Sequence, residues 1–489
     1  MAQGTTTKKV ITNSENDARP FGMRDKIGYM FGDLGNDMTF MLQSMFLMVF
    51  YTEVWGVSAA QVGLLLMIAR FVDAFTDVGM GIIVDKSART NEGKFRPWIR
   101  RIAGPVAISS FLIYQTGLQD MGMGFKIVYM YITYLLYGSI FYTAINIPYG
   151  SMQAAITSNP TERTQLSQFR SMGATLAQLI IGSVTPLIIY STINGQEVVK
   201  TDSTFTILAG VFSILAVLFY FFCYKLTTER VNVDAASVEE TVTVEKQAFG
   251  KELWTTIKGT FGALKNRALI GIIFTALFMI LAQLMISSIN NYLFPNVYNT
   301  SDALSQFNMI NPIIALVIAT PIAPIIANRI GKKEFGILAL GLSALAFGSL
   351  YFIRPENVIV YMAFAAVGMF GFFSFNVVIW AMITDVIDHI EIETHHRQDG
   401  QVYSLYSFSR KMGQAIAGGV SGIALSAVGY QSGAVAQSEE VLNGIFNLGT
   451  IIPAIAFLLA ALSLVFIFPL GKNKVNENAA ILENRRNNG

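Results

Sequence analysis

The sequence predicts an all-α membrane protein: about twelve transmembrane helices in two six-helix bundles, with both termini on the cytoplasmic side. Three observations predict it. First, 53% of the 489 residues are hydrophobic and 13% are charged, with a mean hydropathy of +0.49. Soluble domains carry about 25% charged residues, so this chain cannot cover its surface against water and turns apolar surface to lipid. Second, segments of the roughly 20 apolar residues needed to span a bilayer recur along its length. Third, Lys and Arg concentrate in alternate loops.

Taken in order, residues 1–22 form a polar tail without the apolar run of a cleaved signal peptide. Hydropathy places spans near 28–51, 59–84, 98–118, 126–157, 167–191 and 204–227, which make an N-terminal bundle over 23–229. Residues 230–265 form a cytoplasmic linker. Its end is amphipathic, with Trp254, Ile257, Phe261 and Leu264 on one face and Lys251, Lys258 and Lys265 on the other, a pattern suited to the membrane surface. Spans near 267–297, 304–328, 335–353, 357–388, 402–430 and 441–470 make a C-terminal bundle over 266–470, and 471–489 is a cytoplasmic tail. The loops 93-GKFRPW-98 and 328-NRIGKKEFG-336 sit at matching places in the two halves, as in a duplicated bundle.

The basic loops set the orientation. Lys8, Lys9, Arg24, Lys86, Arg96, Arg100, Lys246, Lys258, Arg329, Lys332, Lys333, Lys472 and Arg485 fall on one side, while the opposite loops hold little beyond Lys126, Lys200 and Arg354. The positive-inside rule makes the first side cytoplasmic. The only cysteine, Cys223, lies in an apolar run, so no internal disulfide forms. No nucleotide-binding loop and no large extramembrane domain are visible. That argues against an ATP-driven pump and against a polytopic membrane enzyme, and leaves an ion gradient to drive any accumulation.

Several charges lie inside the spans, where each costs roughly 2.5–3.5 kcal/mol on insertion scales. Asp73 and Asp77 are four residues apart, on one helical face, with Arg70 adjoining it. Asp37 lies in the first span, one turn after Asp33. Carboxylates from neighbouring helices make a hard-oxygen site for Na⁺ or for a shared proton. The other reading is an ion-pair network in which Arg70 and the aspartates lock helices together. In 142-YTAINIPYGSM-152, Pro148 loosens the helix, and Thr143 and Asn146 are three apart, so their oxygens can join one cluster. Arg170 lies in the fifth span. Arg410 and Lys411 are adjacent in the eleventh and either neutralise the aspartates, bind an anionic substrate group, or snorkel to the surface. Asn376 and Trp380 of the tenth span offer an amide and a ring. His389, His395 and His396 fall in an expected cytoplasmic loop without metal-ligand spacing, so no resident metal or cofactor is expected.

The stretches 73-DAFTDVGMG-81, 93-GKFRPW-98, 146-NIPYGS-151, 160-PTERTQLSQFR-170, 384-TDVID-388 and 403-YSLYSFSRKMGQAIAGG-419 occur in this order across residues 22–470. This combined pattern resembles the glycoside–pentoside–hexuronide:cation symporters of the major facilitator superfamily. The resemblance implies alternating access and sugar uptake driven by Na⁺, H⁺ or Li⁺. It implies a cation site at Asp73, Thr76, Asp77 and Thr143, with Asn146 at its edge. It implies a sugar site at or near Asp37, Asn146, Gly150, Arg170, Asn376 and Ser407, with Lys411 between the two. Tyr149, within the NIPYGS stretch, joins the expected substrate set, and Arg70 joins Lys411 as a coupling residue. Melibiose-carrying members have an aspartate at the position of Asn146, tryptophans at Gly150 and Asn376, and an apolar residue at Arg410. The NIPYGS and SFSRKMGQAI stretches are closer to the glucuronide transporter branch, and transporters of a sulfonated sugar carry a similar Arg-Lys pair. Because a guanidinium matches a carboxylate or sulfonate in bidentate fashion, Arg410 points to an anionic glycoside such as a β-glucuronide. A neutral glycoside, a sulfonated sugar and passive facilitation are the alternatives. The expected partners are a sugar, a coupling cation and membrane lipid, without nucleic acid and as a monomer.

Overall fold

A computed structural model describes residues 19–193, 195–231, 266–395, 399–434 and 436–488. The expected N-terminal tail up to residue 18, the amphipathic end of the linker and His396 lie outside the described residues. The first span is α1 (Met23–Val49), prolonged by a π-helical turn Phe50–Val54. The next two are α2 (Ala59–Lys86) and α3 (Arg96–Ile113). The fourth joins α4 (Met123–Leu135), a π-helical segment Leu136–Tyr142 and α5 (Thr143–Ile156). The fifth and sixth are α6 (Pro160–Ile189) and α7 (Thr204–Leu226). The second half begins with α8 (Arg267–Val297). The eighth span joins α9 (Ser301–Ile313), a π-helical segment Ile314–Ala319 and α10 (Thr320–Ile330). Then follow α11 (Lys332–Ile353), α12 (Val358–Thr394), α13 (Asp399–Ala427) and α14 (Glu439–Phe466).

Helix starts follow local chemistry. Asn159, Asn266, Thr300, Asn357 and Ser438 each cap a helix by accepting a backbone N–H in its first turn, and Pro160 occupies a first position where no donor is needed. Eight of the twelve spans are long and apolar enough to cross a membrane by composition alone. The four that fall short are α1, α2, α3 and α13, and three of these carry the intramembrane charges of the site other than Arg170. The apolar side chains left exposed, such as Ile108, Ile214, Val317 and Leu345, belong to these spans, as expected where lipid is the solvent.

The loop 93-GKFRPW-98 is a seat for a carboxylate. The backbone N–H groups of Lys94, Phe95 and Arg96 donate to the buried Glu229 carboxylate at 2.7–2.9 Å, capping α3 at its positive end. Gly93 has φ +113°, and a Cβ there would lie 2.5 Å from the Glu229 carboxyl carbon, so only glycine fits. In the matching loop of the second half Gly331 also has positive φ, and Lys332 donates to Asp385 of the TDVID stretch at 2.7 Å.

Two segments depart from expectation. Residues 472–488 are helical, α15 (Lys472–Asn488), and pack on the end of α12, where the Asn478 amide meets His389 at 3.3 Å. With that partner α12 runs on to Thr394, so His389 lies in a helix and not in a loop. The loop after the fifth span forms a hairpin in which β1 (Tyr190–Ile193) pairs antiparallel with β2 (Gln196–Val199).

Within each half the spans pack on one another. Between halves, α2 lies along α13, α6 along α9, and α1 against α8. These joins crowd toward the face opposite the termini. There a Cβ on Gly422 would fall 2.1 Å from the Ala59 carbonyl oxygen, and Gly63 approaches Gly418, Gly419 and Gly422 as closely as backbones allow. The Ala60 N–H donates to Ser426 at 2.9 Å. The Tyr430 hydroxyl donates to Glu53 at 2.8 Å, Thr52 and Tyr292 share a hydrogen bond of 2.9 Å, and Tyr190 reaches the Asn291 carbonyl at 2.8 Å. Nearer the termini, the hydrogen bond and ion pair that join the halves among the described residues are those of Lys411 with Asp77. The described contacts between the halves thus gather on the far face, where they seal it.

Candidate ion and substrate site

Asp73 and Asp77 both point at the fourth span. Ser139 Oγ donates to Asp73 Oδ1 at 2.6 Å, and Thr143 Oγ1 donates to Asp77 Oδ1 at 3.0 Å. Two hydroxyls four residues apart thus meet two carboxylates four residues apart. The π-helical segment Leu136–Tyr142 carries Ser139 into this register, as such segments often do at functional sites. The sequence reading did not single out Ser139, although its spacing to Thr143 repeats that of Asp73 to Asp77.

Each carboxylate also has a cation from the chain. Arg70 Nη1 donates to Asp73 Oδ2 at 3.2 Å, and its guanidinium lies 5.6 Å from the Phe40 ring centre. Lys411, from the other half, is bonded to Asp77 Oδ2. Two negative charges are balanced by two positive ones. The Thr76 hydroxyl turns back onto its own helix, to Val72 and Asp73 carbonyls at 3.3 and 3.2 Å, and does not reach the carboxylates. Asn146 makes no hydrogen bond among the described residues.

The first-span aspartates form a second group. Arg170 Nε donates to Asp33 Oδ1 at 3.0 Å, and its guanidinium stands 5.4 Å from the Tyr149 ring. Tyr149 is buried, stacked on Tyr29 at 4.7 Å, with its hydroxyl donating to the Tyr29 carbonyl at 2.7 Å. It supports Arg170 from behind and presents no free polar atom. Gly150 lies beside the same guanidinium, which a Cβ there would meet at 3.9 Å, an ordinary contact. Asp37 is 8% exposed and has no hydrogen-bond partner among the described residues.

A third group lies on α12 and α13. Trp380, 41% exposed, stacks on Tyr403 at 5.6 Å and meets Tyr406 edge-on at 5.1 Å. Arg410 stands 5.8 Å from the Trp380 and Tyr406 ring centres and donates to the Tyr406 hydroxyl at 3.3 Å. Among the described residues it has no carboxylate partner, unlike Arg70, Arg170 and Lys411. Ser407 is exposed on the same helix, and Asn376, one turn before Trp380, keeps a buried Oδ1 without a donor. These three clusters set charge and amides within the spans of both halves, with an aromatic wall on α12 and α13. That is the arrangement of a polytopic carrier for a hydrophilic solute.

The comparisons agree. Residues 28–472 match the family model for MFS/sugar transport proteins, and the chain belongs to this family. It is 30% identical over 463 residues to the glucuronide carrier protein homolog of Escherichia coli (strain K12), covering 95% of this chain and 96% of the relative. It is 33% identical over 448 residues to the isoprimeverose transporter of Lactiplantibacillus pentosus, covering 90% and 88%. It is 29% identical over 479 residues to a putative sulfoquinovose importer of E. coli K12, covering 95% and 94%. Among solved structures, a bacterial homolog of the lysosomal transporter Spinster, in an inward-facing and occupied conformation, superposes with TM-score 0.66 at 10% identity, covering 92% of this chain and 97% of that one. The D-xylose–proton symporter gives 0.62 at 14%, covering 91% and 98%. The fold is the all-α major facilitator fold. The chain is a multi-pass cell-membrane sugar transporter and not an enzyme.

Proposed function

We propose that this protein is a cation-coupled symporter that takes up an anionic glycoside, with a β-glucuronide the best match, by alternating access. Two six-helix bundles, 23–229 and 266–470, rock about a central site. The linker 230–265 and the tails 1–22 and 471–489 lie in the cytoplasm, and the protein works as a monomer. The observation that carries the coupling is the double pairing of Asp73 with Arg70 and of Asp77 with Lys411, the second reaching across the two halves. Oxygens of Asp73, Asp77, Ser139 and Thr143 suit a hard cation, Na⁺, or one shared proton. In this state Lys411 stands where that charge would otherwise be neutralised. Cation arrival from outside releases Lys411, and cation loss inside restores the pair.

The substrate reading rests on Arg410. A guanidinium beside an aromatic wall and without a carboxylate partner is suited to a carboxylate or sulfonate on a sugar. The likeness to a glucuronide carrier homolog and to a putative sulfoquinovose importer supports an anionic sugar, and the isoprimeverose transporter supplies the neutral alternative. Asp37, Arg170, Asn146, Asn376 and Ser407 supply hydrogen bonds to hydroxyls. Tyr149 positions Arg170, Gly150 lies beside it in the substrate region, and Arg70 and Lys411 couple the two sites.

The test is uptake of a radiolabelled aryl-β-glucuronide into proteoliposomes under an imposed Na⁺ gradient and, separately, a proton gradient, beside a neutral xyloside and a sulfonated sugar. Uphill uptake of the glucuronide that needs one ion supports the reading. Equilibration indifferent to both gradients contradicts coupling, and preference for the neutral sugar contradicts the role of Arg410.

A further inference from the structure

A cavity of about 60 Å³ lies between the halves, beside Arg70. Its wall draws on both halves: Gln43 of α1 and Arg70 of α2 on one side, Ser288 of α8, and Gln414 and Ser421 of α13 on the other. Leu66, Ala417 and Gly418 belong to the same wall and to the close α2–α13 contact that seals the far face. The cavity is therefore bounded by the surfaces that part when the halves rock.

Its polar groups are poorly served by the protein. Gln43 is 5% exposed, and its Nε2 is buried without any acceptor. Gln414 makes no hydrogen bond among the described residues, and the Ser288 hydroxyl reaches only the Met48 sulfur at 3.6 Å. Among the described residues Arg70 donates one N–H, to Asp73, and has others to give. A buried amide donor left without an acceptor is costly, so such a group is kept where something else supplies an oxygen. The wall mixes donors, small hydroxyls and apolar carbons, as walls that hold sugars do.

We propose that this cavity is a subsite for one oxygen-rich end of the transported glycoside, read by Gln43 from the first half and by Gln414 from the second. The inference deepens the symporter reading and rests on it. The cavity has room for a hydroxymethyl or carboxyl group and not for a whole ring, so it selects on the substituent at that end. Because its two readers sit on opposite halves, the end is gripped fully only while the far face is closed. Contact with Arg70 places the substrate one residue away from Asp73, which gives a short physical link between sugar and cation.

The test uses the full chain in proteoliposomes and whichever of an aryl-β-glucuronide, an aryl-β-glucoside and an aryl-β-xyloside the wild type takes up best. The wild type's choice within the panel tests the anionic-substrate reading; the variants, compared with wild type on the same sugar, test the cavity. Gln43→Leu and Gln414→Leu are expected to raise the half-saturating sugar concentration about tenfold each, the loss of one good hydrogen bond. A second measurement does not need turnover. In Ser288→Cys, with Cys223 buried, saturating sugar is expected to slow labelling by a small thiosulfonate reagent about fivefold or more. Half-saturation within twofold of wild type in both leucine variants, together with labelling indifferent to sugar, would overturn the proposal.

Discussion

Lys411 of α13 is bonded to Asp77 of α2, and this pair ties the two halves of the molecule together at membrane depth. It belongs to the same cluster in which Arg70 holds Asp73 and in which Ser139 and Thr143 donate to the two carboxylates. On the proposed reading a coupling cation and the Lys411 ammonium compete for one carboxylate, so cation binding and this inter-half bond exclude each other. Coupling of this kind is a reciprocal free energy, typically about 1–3 kcal/mol.

Ser139→Ala removes one oxygen from the proposed cation site and leaves the Arg70–Asp73 pair in place. The expected result is a rise of about five- to tenfold in the half-saturating concentration of the driving ion, equivalent to about 1–1.5 kcal/mol, with sugar affinity at saturating ion unchanged. Ion titrations of glycoside uptake check this. An unchanged ion dependence would remove Ser139 from the site.

Arg410→Ala should separate substrate classes. A charge-assisted hydrogen bond contributes about 1.5–3 kcal/mol, so uptake efficiency for an aryl-β-glucuronide is expected to fall about 10- to 150-fold while a neutral glycoside changes little. Equal losses for both would mean that Arg410 serves packing against Trp380 and Tyr406 and does not read charge.

The far-face seal should be intolerant of bulk. In Gly422→Ala the added carbon would sit 2.1 Å from the Ala59 carbonyl oxygen. The halves then cannot close there, and the population shifts toward the form open to the far face. Net uptake is expected to fall by more than about tenfold with sugar binding from that face retained. Spin labels at the exposed Gln61 and Gln431 should move apart. Tyr430→Phe, which removes only the hydrogen bond to Glu53, should produce the same shift more weakly.

Glu229→Ala removes the carboxylate that three successive N–H groups share at the start of α3. Leaving those donors unpaired should cost about 2–4 kcal/mol and lower the apparent Tm of the purified protein by several degrees. Gly93→Ala should do the same by colliding with Glu229 and straining a positive φ.

Much of the architecture was legible in the chain because membranes constrain spans so tightly. The expected span at 267–297 coincides with Arg267–Val297, and that at 204–227 ends one residue from Thr204–Leu226. Boundaries drifted where polar residues continue a helix into water: α12 runs six residues beyond the expected 388 because α15 packs on it. Asp73, Asp77 and Thr143 were legible from spacing and resemblance. Ser139 was not, because a π-helical register cannot be read from a period of 3.6. The Glu53–Tyr430 bond and the α2–α13 glycine contact join residues more than 350 positions apart, and no local pattern announces such a pair. Thr76 was expected among the cation ligands, and its hydroxyl donates to carbonyls of its own helix, which leaves the oxygen lone pairs for a cation.

The most direct test of the central claim compares the half-saturating concentration of the driving ion in wild type and in Lys411→Met, alongside the steady-state accumulation of glycoside. If Lys411 competes with the cation for Asp77, its removal tightens ion binding by about tenfold while accumulation collapses toward equilibration. Ion binding that is unchanged or weaker, with accumulation intact, would contradict the account.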